Sequence, residues 1–273
     1  MRDGIDIGID SLADALGDPA RTLDALMHLA ENGDVQLSPR ALDALARCLG
    51  AESKAIQRRA ADAFAAIALH DNRAQLKLRE VLDSSDLRAR WPAAYALARL
   101  GAGEHAHHAA DALFAALAND DGDVRWAASG LVLLLGEANR ETVIGRLLTL
   151  AHDDNAVARR MALYCLRDLR ASGPAVLEAI ESASRAGSHH LRLAALAALV
   201  RLENSREAAA EIALRCLESD PDPGVRRAAA ATLGTIANSS PRMRAALERA
   251  ASTEGDESMQ RAARSALTRM EQR

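Results

Sequence analysis

Apolar residues recur along this chain three or four positions apart, and each group follows a short polar side chain. Val124, Ala128, Val132 and Leu135 form one such group, an apolar stripe along one face of a helix. The same pattern is anchored at Ile56, Ala89, Val124, Val157, Leu191, Val225 and Met259, at intervals of 33, 35, 33, 34, 34 and 34 residues. Four positions after each anchor stand Ala60, Ala93, Ala128, Met161, Ala195, Ala229 and Ala263. Eight after stand Phe64, Leu97, Val132, Cys165, Leu199, Leu233 and Leu267. Three before each anchor come Ser53, Asp86, Asp121, Asp154, Ser188, Asp222 and Asp256, all residues able to accept a hydrogen bond from the first helical turn. No stretch alternates with period two, so strands are not expected.

A further helix precedes each of these. Ser38-Pro39, Gly173-Pro174 and Ser240-Pro241 place proline at a first helical position, where its missing N–H costs nothing. The unit is therefore a helical hairpin, copied about eight times. Residues 1–35 read as a degenerate N-terminal cap repeat whose second helix opens at Asp18-Pro19. Residues 36–273 read as seven regular repeats of about 34 residues, the whole forming a single repeat domain over 1–273. One hairpin cannot bury its own stripe, so stacking must supply the core.

The run Asp-x-x-Val-Arg-x-x-Ala resembles HEAT-like repeats of the bacterial type, a repeat type also seen in phycobilin lyases. Asp121, Val124, Arg125 and Ala128 carry it, as do Asp222, Val225, Arg226 and Ala229. The resemblance covers residues 36–273. It implies an all-α, right-handed α-solenoid of HEAT-like hairpins, with the second helix of each pair lining a concave face. It also implies that the Asp and Arg columns are structural and bridge neighbouring units: Asp86, Arg90, Asp121, Arg125, Asp154, Asp222 and Arg226, with Arg192 in the same column. Gln57, Ala158 and Gln260 depart from the column and interrupt such a ladder.

At about 100° per residue, the position two after each anchor lies opposite the core stripe, on the face that the resemblance makes concave. It holds Arg58, Trp91, Trp126, Arg159, Leu193, Arg227 and Arg261, with Tyr95 one turn beyond Trp91. Leu133, Leu163, Leu166 and Val200 fall on the same face. The expectation is a partly apolar groove in which Trp91, Tyr95, Trp126, Leu133, Leu163 and Leu193, flanked by Arg58, Arg159 and Arg227, hold a partner. Trp, Tyr and Arg are the usual anchors of interfaces. The competing expectation is that curvature closes the groove and packs these side chains on neighbouring helices.

Composition narrows the chemistry. The chain is 49% apolar but only 2% aromatic, so its core is mostly Ala and Leu, strong helix formers. Cations are nearly all Arg, Lys54 and Lys77 being the only lysines, which suggests a GC-rich bacterial genome. A net charge of −4 disfavours a general nucleic-acid binder. Cys48, Cys165 and Cys216 are too scattered for a metal or disulfide framework and read as reduced structural thiols in a cytoplasm. No run is long and apolar enough to insert in a membrane, and no leader is evident in the first twenty residues.

Glu104, His105, His107 and His108 concentrate possible metal ligands, but in a segment read as a turn, where polar side chains are expected. His189-His190 gets the same reading. No His-Glu dipeptide exists to hold iron as deoxyhypusine hydroxylases do, and Asp62 is the only acid one turn beyond the aromatic column. No metal, cofactor or catalytic group is assigned. Asp168 interrupts a core column otherwise filled by residues such as Leu135 and Leu202. Either the helix shifts so that Leu169 takes its place, or Asp168 pairs with Arg167 or Arg201. The sequence thus points to a non-catalytic scaffold or adaptor that binds a helix or extended peptide of another protein. The alternative is a phycobilin-lyase-like or DNA-repair enzyme using the same groove. The oligomeric state is not legible.

Overall fold

The computed structural model describes residues 9–101, 104–236, 240–252 and 256–272. Among these, sixteen α-helices and one short 3-10 turn occur, with no strand. The chain divides into two units, 1–139 and 140–273.

In the first unit the helices are α1 (Ile9–Gly17), α2 (Thr22–Glu31), α3 (Pro39–Leu49), α4 (Lys54–Ala68), α5 (Asn72–Asp83), α6 (Leu87–Ala98), α7 (Glu104–Ala116) and α8 (Gly122–Ala138). They form four hairpins. The first helices α1, α3, α5 and α7 pack in succession, as do the second helices α2, α4, α6 and α8, with α8 touching α6 only lightly. The second unit repeats the scheme with α9 (Arg140–Leu150), α10 (Ala156–Asp168), α11 (Pro174–Ser184), α12 (His189–Leu199), α13 (Arg206–Ser219), α14 (Pro223–Ile236), α15 (Pro241–Ser252) and α16 (Glu257–Glu271). There α10, α12, α14 and α16 form the row of second helices.

The apolar periodicity becomes the core. Ala60, Ala93, Ala128, Met161, Ala195, Ala229 and Ala263 are all buried, and so are Phe64, Leu97, Val132, Cys165, Leu199 and Leu233. Alanine dominates the first column because neighbouring second helices approach closely. At Gly234 an added Cβ would stand 2.6 Å from the Cα of Ala266, so α14 and α16 meet backbone to backbone.

The caps explain where the second helices start. Asp86, Asp121, Asp222 and Asp256 each accept a backbone N–H of the following turn, from Arg88, Asp123, Val225 and Met259. Ser53 and Ser188 stand at the cap without a side-chain bond. At α10 the expected cap is displaced by one residue. Asn155, not Asp154, accepts from Val157 and Ala158, because its amide oxygen reaches both donors. The proline-marked starts hold at Pro39, Pro174 and Pro241. Asp18-Pro19 instead forms a turn, with the Asp18 carbonyl accepting from Arg21 and Thr22, and α2 opens three residues later. Residues from Glu104 on are helical rather than a turn.

The Arg column works differently from the expected ladder. Each side chain clamps carbonyls next to the turn of its own hairpin: Arg90 that of Leu82, Arg125 those of Asn119 and Asp120, Arg226 those of Asp220 and Pro221. Gln57 does the same to Ala51, so the departure from Arg keeps the clamp. Where the column holds Ala158, the next residue substitutes: Arg159 donates to Ala151 at 3.2 Å. Arg192 also reaches the following repeat. It clamps Ala186 and Gly187 and makes a two-pronged, buried ion pair with Asp220 at 2.7 and 2.9 Å. Asp168 is resolved by both proposed routes: Leu169 is buried, and Asp168 turns outward to pair with Arg167.

Candidate binding cleft

The first unit carries a cleft of about 650 Å³. Its floor is the face of α6 that holds Leu87, Trp91, Pro92 and Tyr95, and its walls come from α4 and the start of α8. The light contact between α6 and α8 leaves the space open. The Trp91 and Tyr95 rings lie 5.8 Å apart, tilted by 56°, a favourable aromatic pairing. Leu87 at the mouth is 73% exposed. Pro92 has no N–H, so the Arg88 carbonyl one turn back loses its usual helical donor. Both residues line the cleft.

Two ion pairs cross from wall to wall. Lys54 Nζ lies 2.5 Å from Asp121 Oδ2, and Arg58 Nη2 lies 3.1 Å from Asp123 Oδ2. These pairs link α4 to α8 past the intervening α6. The Lys54 ammonium, and then the Asp123 N–H, hold the Asp121 carboxyl below the usual carboxylate range. Beside the lining, Arg99 sits 5.6 Å from the Tyr95 ring centre and binds Asp62 at 2.5 Å. Two residues of the lining, Tyr95 and Asp62, thus already hold a guanidinium from outside it between an aromatic face and a carboxylate.

Of the residues expected to form a partner groove, Arg58, Trp91 and Tyr95 meet here. Trp126 stands on α8, 54% exposed, outside the lining. Leu133 is half-buried on α8. In the second unit, Leu193 and Arg227 are half-buried, and Arg159 serves its turn clamp. Leu163 does not line a groove: it is fully buried in the core, as is Leu166. The α10 stripe is broad enough that a position assigned to the opposite face turns inward. Lys54, Leu87, Asp121 and Asp123 were not singled out as cleft residues. The available signal was charge opposition at positions two repeat periods apart.

Among the described residues no group of three or more His, Cys, Asp or Glu can hold a metal. The side chains of Glu104, His105 and His107 lie outside the described residues, while His108 stands 3.8 Å from Asp83. The three thiols are buried, and burial raises each pKa, that of Cys165 to about 12, so none is poised as a nucleophile. Among the described residues no helix is long and apolar enough to cross a membrane.

Residues 180–268 match the family described as HEAT repeats. No curated protein matches the sequence. Among solved structures, an engineered protein aligns over 96% of this chain and 78% of its own, at 19% identity and a TM-score of 0.50. A chain from a structure in which Kap95p binding induces the switch loops of RanGDP to adopt the GTP-bound conformation aligns over 97% of this chain. The match spans 40% of that chain, at 14% identity and a TM-score of 0.65. Human deoxyhypusine hydroxylase in complex with glycerol aligns over 97% of this chain and 96% of its own, at 21% identity and a TM-score of 0.40, too loose to define even the fold. The fold is an all-α solenoid of HEAT-like repeats.

Proposed function

We propose that this protein is a non-catalytic scaffold that holds a segment of a partner protein in the cleft of its first unit. The observation that carries this reading is the cleft itself. Trp91, Tyr95 and Leu87 present an aromatic and apolar floor between charged walls, the composition of an interface anchor site. Trp126, on the neighbouring helix, offers a further exposed aromatic surface. HEAT-like solenoids suit such a role, and Kap95p, whose structure is similar in fold, binds RanGDP. The carboxylates near the floor are each held by a cation, which suits recognition better than proton transfer. The free buried thiols fit a reducing compartment, and the proposed place of action is the cytoplasm.

The test is a photo-reactive residue placed at Trp126 in the full chain, irradiated in extract of the source organism. A discrete protein adduct, lost when Trp91→Ala is added and not formed from a probe at exposed Arg206, is the expected result. No adduct, or equal adducts from both probe positions, would overturn the reading.

A further inference from the structure

We infer that the segment this cleft takes is basic: an Arg- or Lys-bearing stretch whose cationic head lies on the Trp91–Tyr95 floor and exchanges with Lys54 and Arg58 at Asp121 and Asp123. The inference rests on the cleft being a peptide site and adds the chemistry of the occupant.

Three independent features select a cation. The first is long-range charge. The 34 Lys and Arg and 38 Asp and Glu of the chain divide unevenly between its units. Residues 1–139 hold 14 cations and 21 anions, a net −7; residues 140–273 hold 20 and 17, a net +3. The cleft lies in the acidic unit, whose field draws a basic segment in and repels an acidic one. The second is the internal precedent of Arg99, a guanidinium stacked on Tyr95 and bound to Asp62. Trp91, beside Tyr95, is the better of the two rings for the same interaction. The third is the supply of acceptors. The wall carboxylates Asp121 and Asp123 are held by side chains that are themselves 75% and 68% exposed. Exposed pairs of this kind hold weakly and are readily exchanged. The lining itself balances three cations, Lys54, Arg58 and Arg88, against three carboxylates, Asp62, Asp121 and Asp123, so the choice of a basic over an acidic segment comes from the net charge of the unit and from the rings, while the exchangeable carboxylates supply its acceptors.

The test is selection of a random twelve-residue display library on the full chain at low salt, followed by titration of the enriched peptides as synthetic probes. The expected result is enrichment in Arg and Lys, with affinity falling as salt rises. Trp91→Ala should weaken binding about thirtyfold, as for a hot spot. Asp123→Asn should weaken it about threefold. Leu87, exposed at the mouth, gives a readout that needs no change to the core. Leu87→Lys should weaken a basic peptide and Leu87→Glu should tighten it. Enrichment of acidic or neutral peptides that still depend on Trp91, or the reverse order of the two Leu87 variants, would overturn the basic occupant while leaving the cleft a peptide site. Peptides whose binding ignores Trp91 would overturn both readings. So would a stable dimer of the chain that occludes the cleft and excludes every peptide.

Discussion

Lys54 and Asp121 stand 67 residues apart in sequence and 2.5 Å apart in space. The separation is two repeat periods, so the pair skips a hairpin and clasps α4 to α8 across the aromatic floor. Asp121 therefore has two tasks, capping α8 and receiving the ammonium, and both depress its pKa. A carboxyl whose folded pKa is depressed contributes stability above its unfolded value, about 3.9, and loses it as pH falls through the folded value. Lys54→Met removes the largest cause of the depression. Its melting temperature should fall less steeply than that of the wild type as pH is lowered through the acid range. Thermal melts from neutral to strongly acid pH measure this; identical slopes would mean the clasp does not form in solution.

The cap of α10 offers a test of one residue against its neighbour. Asn155 accepts two backbone N–H bonds, whereas Asp154 is exposed and caps nothing. Asn155→Ala should cost about 1 kcal/mol in denaturant unfolding. Asp154→Ala should fall within about 0.5 kcal/mol of wild type, as surface changes do. The opposite order would restore the cap to the position that the repeat spacing assigns it.

That one-residue displacement shows what a repeat pattern can carry. Spacing located the second helices, their buried alanine column and the prolines at Pro39, Pro174 and Pro241, because these follow from local periodicity. It placed Trp91 and Tyr95 on a shared face for the same reason. It did not separate Leu163 from that face, since the width of a buried stripe depends on how closely the next helix packs. Nor did it show that Arg90 and Arg125 turn back to the carbonyls of their own hairpins, where backbone groups invisible in a pattern of side chains need donors. The wall-to-wall pairs leave only charge opposition two periods apart as a signal, because whether such residues meet depends on how successive hairpins are inclined.

The buried pair of Arg192 and Asp220 should behave unlike the exposed ones. Arg192 is 7% and Asp220 8% exposed, and the Asp220 carboxylate raises the Arg192 pKa further. Arg192→Met strips the carboxylate of its guanidinium partner and leaves it buried with only the Asp222 N–H bonded to it, a loss of roughly 3–5 kcal/mol. Arg40→Met, which breaks an exposed pair with Asp14, should cost no more than about 1 kcal/mol. Chemical denaturation of both variants separates the two cases, and a mild effect at Arg192 would mean that water reaches this pair.

Two glycines inside second helices should respond in opposite directions to alanine. Around Gly234 there is no room, with the Ala266 Cα at 2.6 Å from an added Cβ, so Gly234→Ala must push α14 from α16. Overpacking of this kind costs about 1–3 kcal/mol. Gly130, exposed in α8, has open space at its Cβ, so Gly130→Ala should gain up to about 1 kcal/mol from helix propensity alone. Denaturation midpoints report the difference, and two shifts of the same sign would contradict the close approach of α14 and α16.

The two tryptophans should be distinguishable by light as well as by stability. Trp126 is 54% exposed, whereas Trp91 is half-buried against Tyr95. With Trp91→Phe in place, Trp126 is the remaining indole; its emission should lie to the red and be readily quenched by acrylamide. With Trp126→Phe, emission from Trp91 should be bluer and better protected. Stability should follow the same order. Trp126→Ala truncates the more exposed ring and should cost less than Trp91→Ala. Trp91→Ala removes the aromatic contact and part of the cleft floor. It should cost about 1–3 kcal/mol, below the 3–5 of a fully buried tryptophan. If Trp91 instead cost as much as a core tryptophan and were fully shielded from quencher, the cleft would be closed in solution. If it cost nothing and quenched like Trp126, the cleft would have no floor.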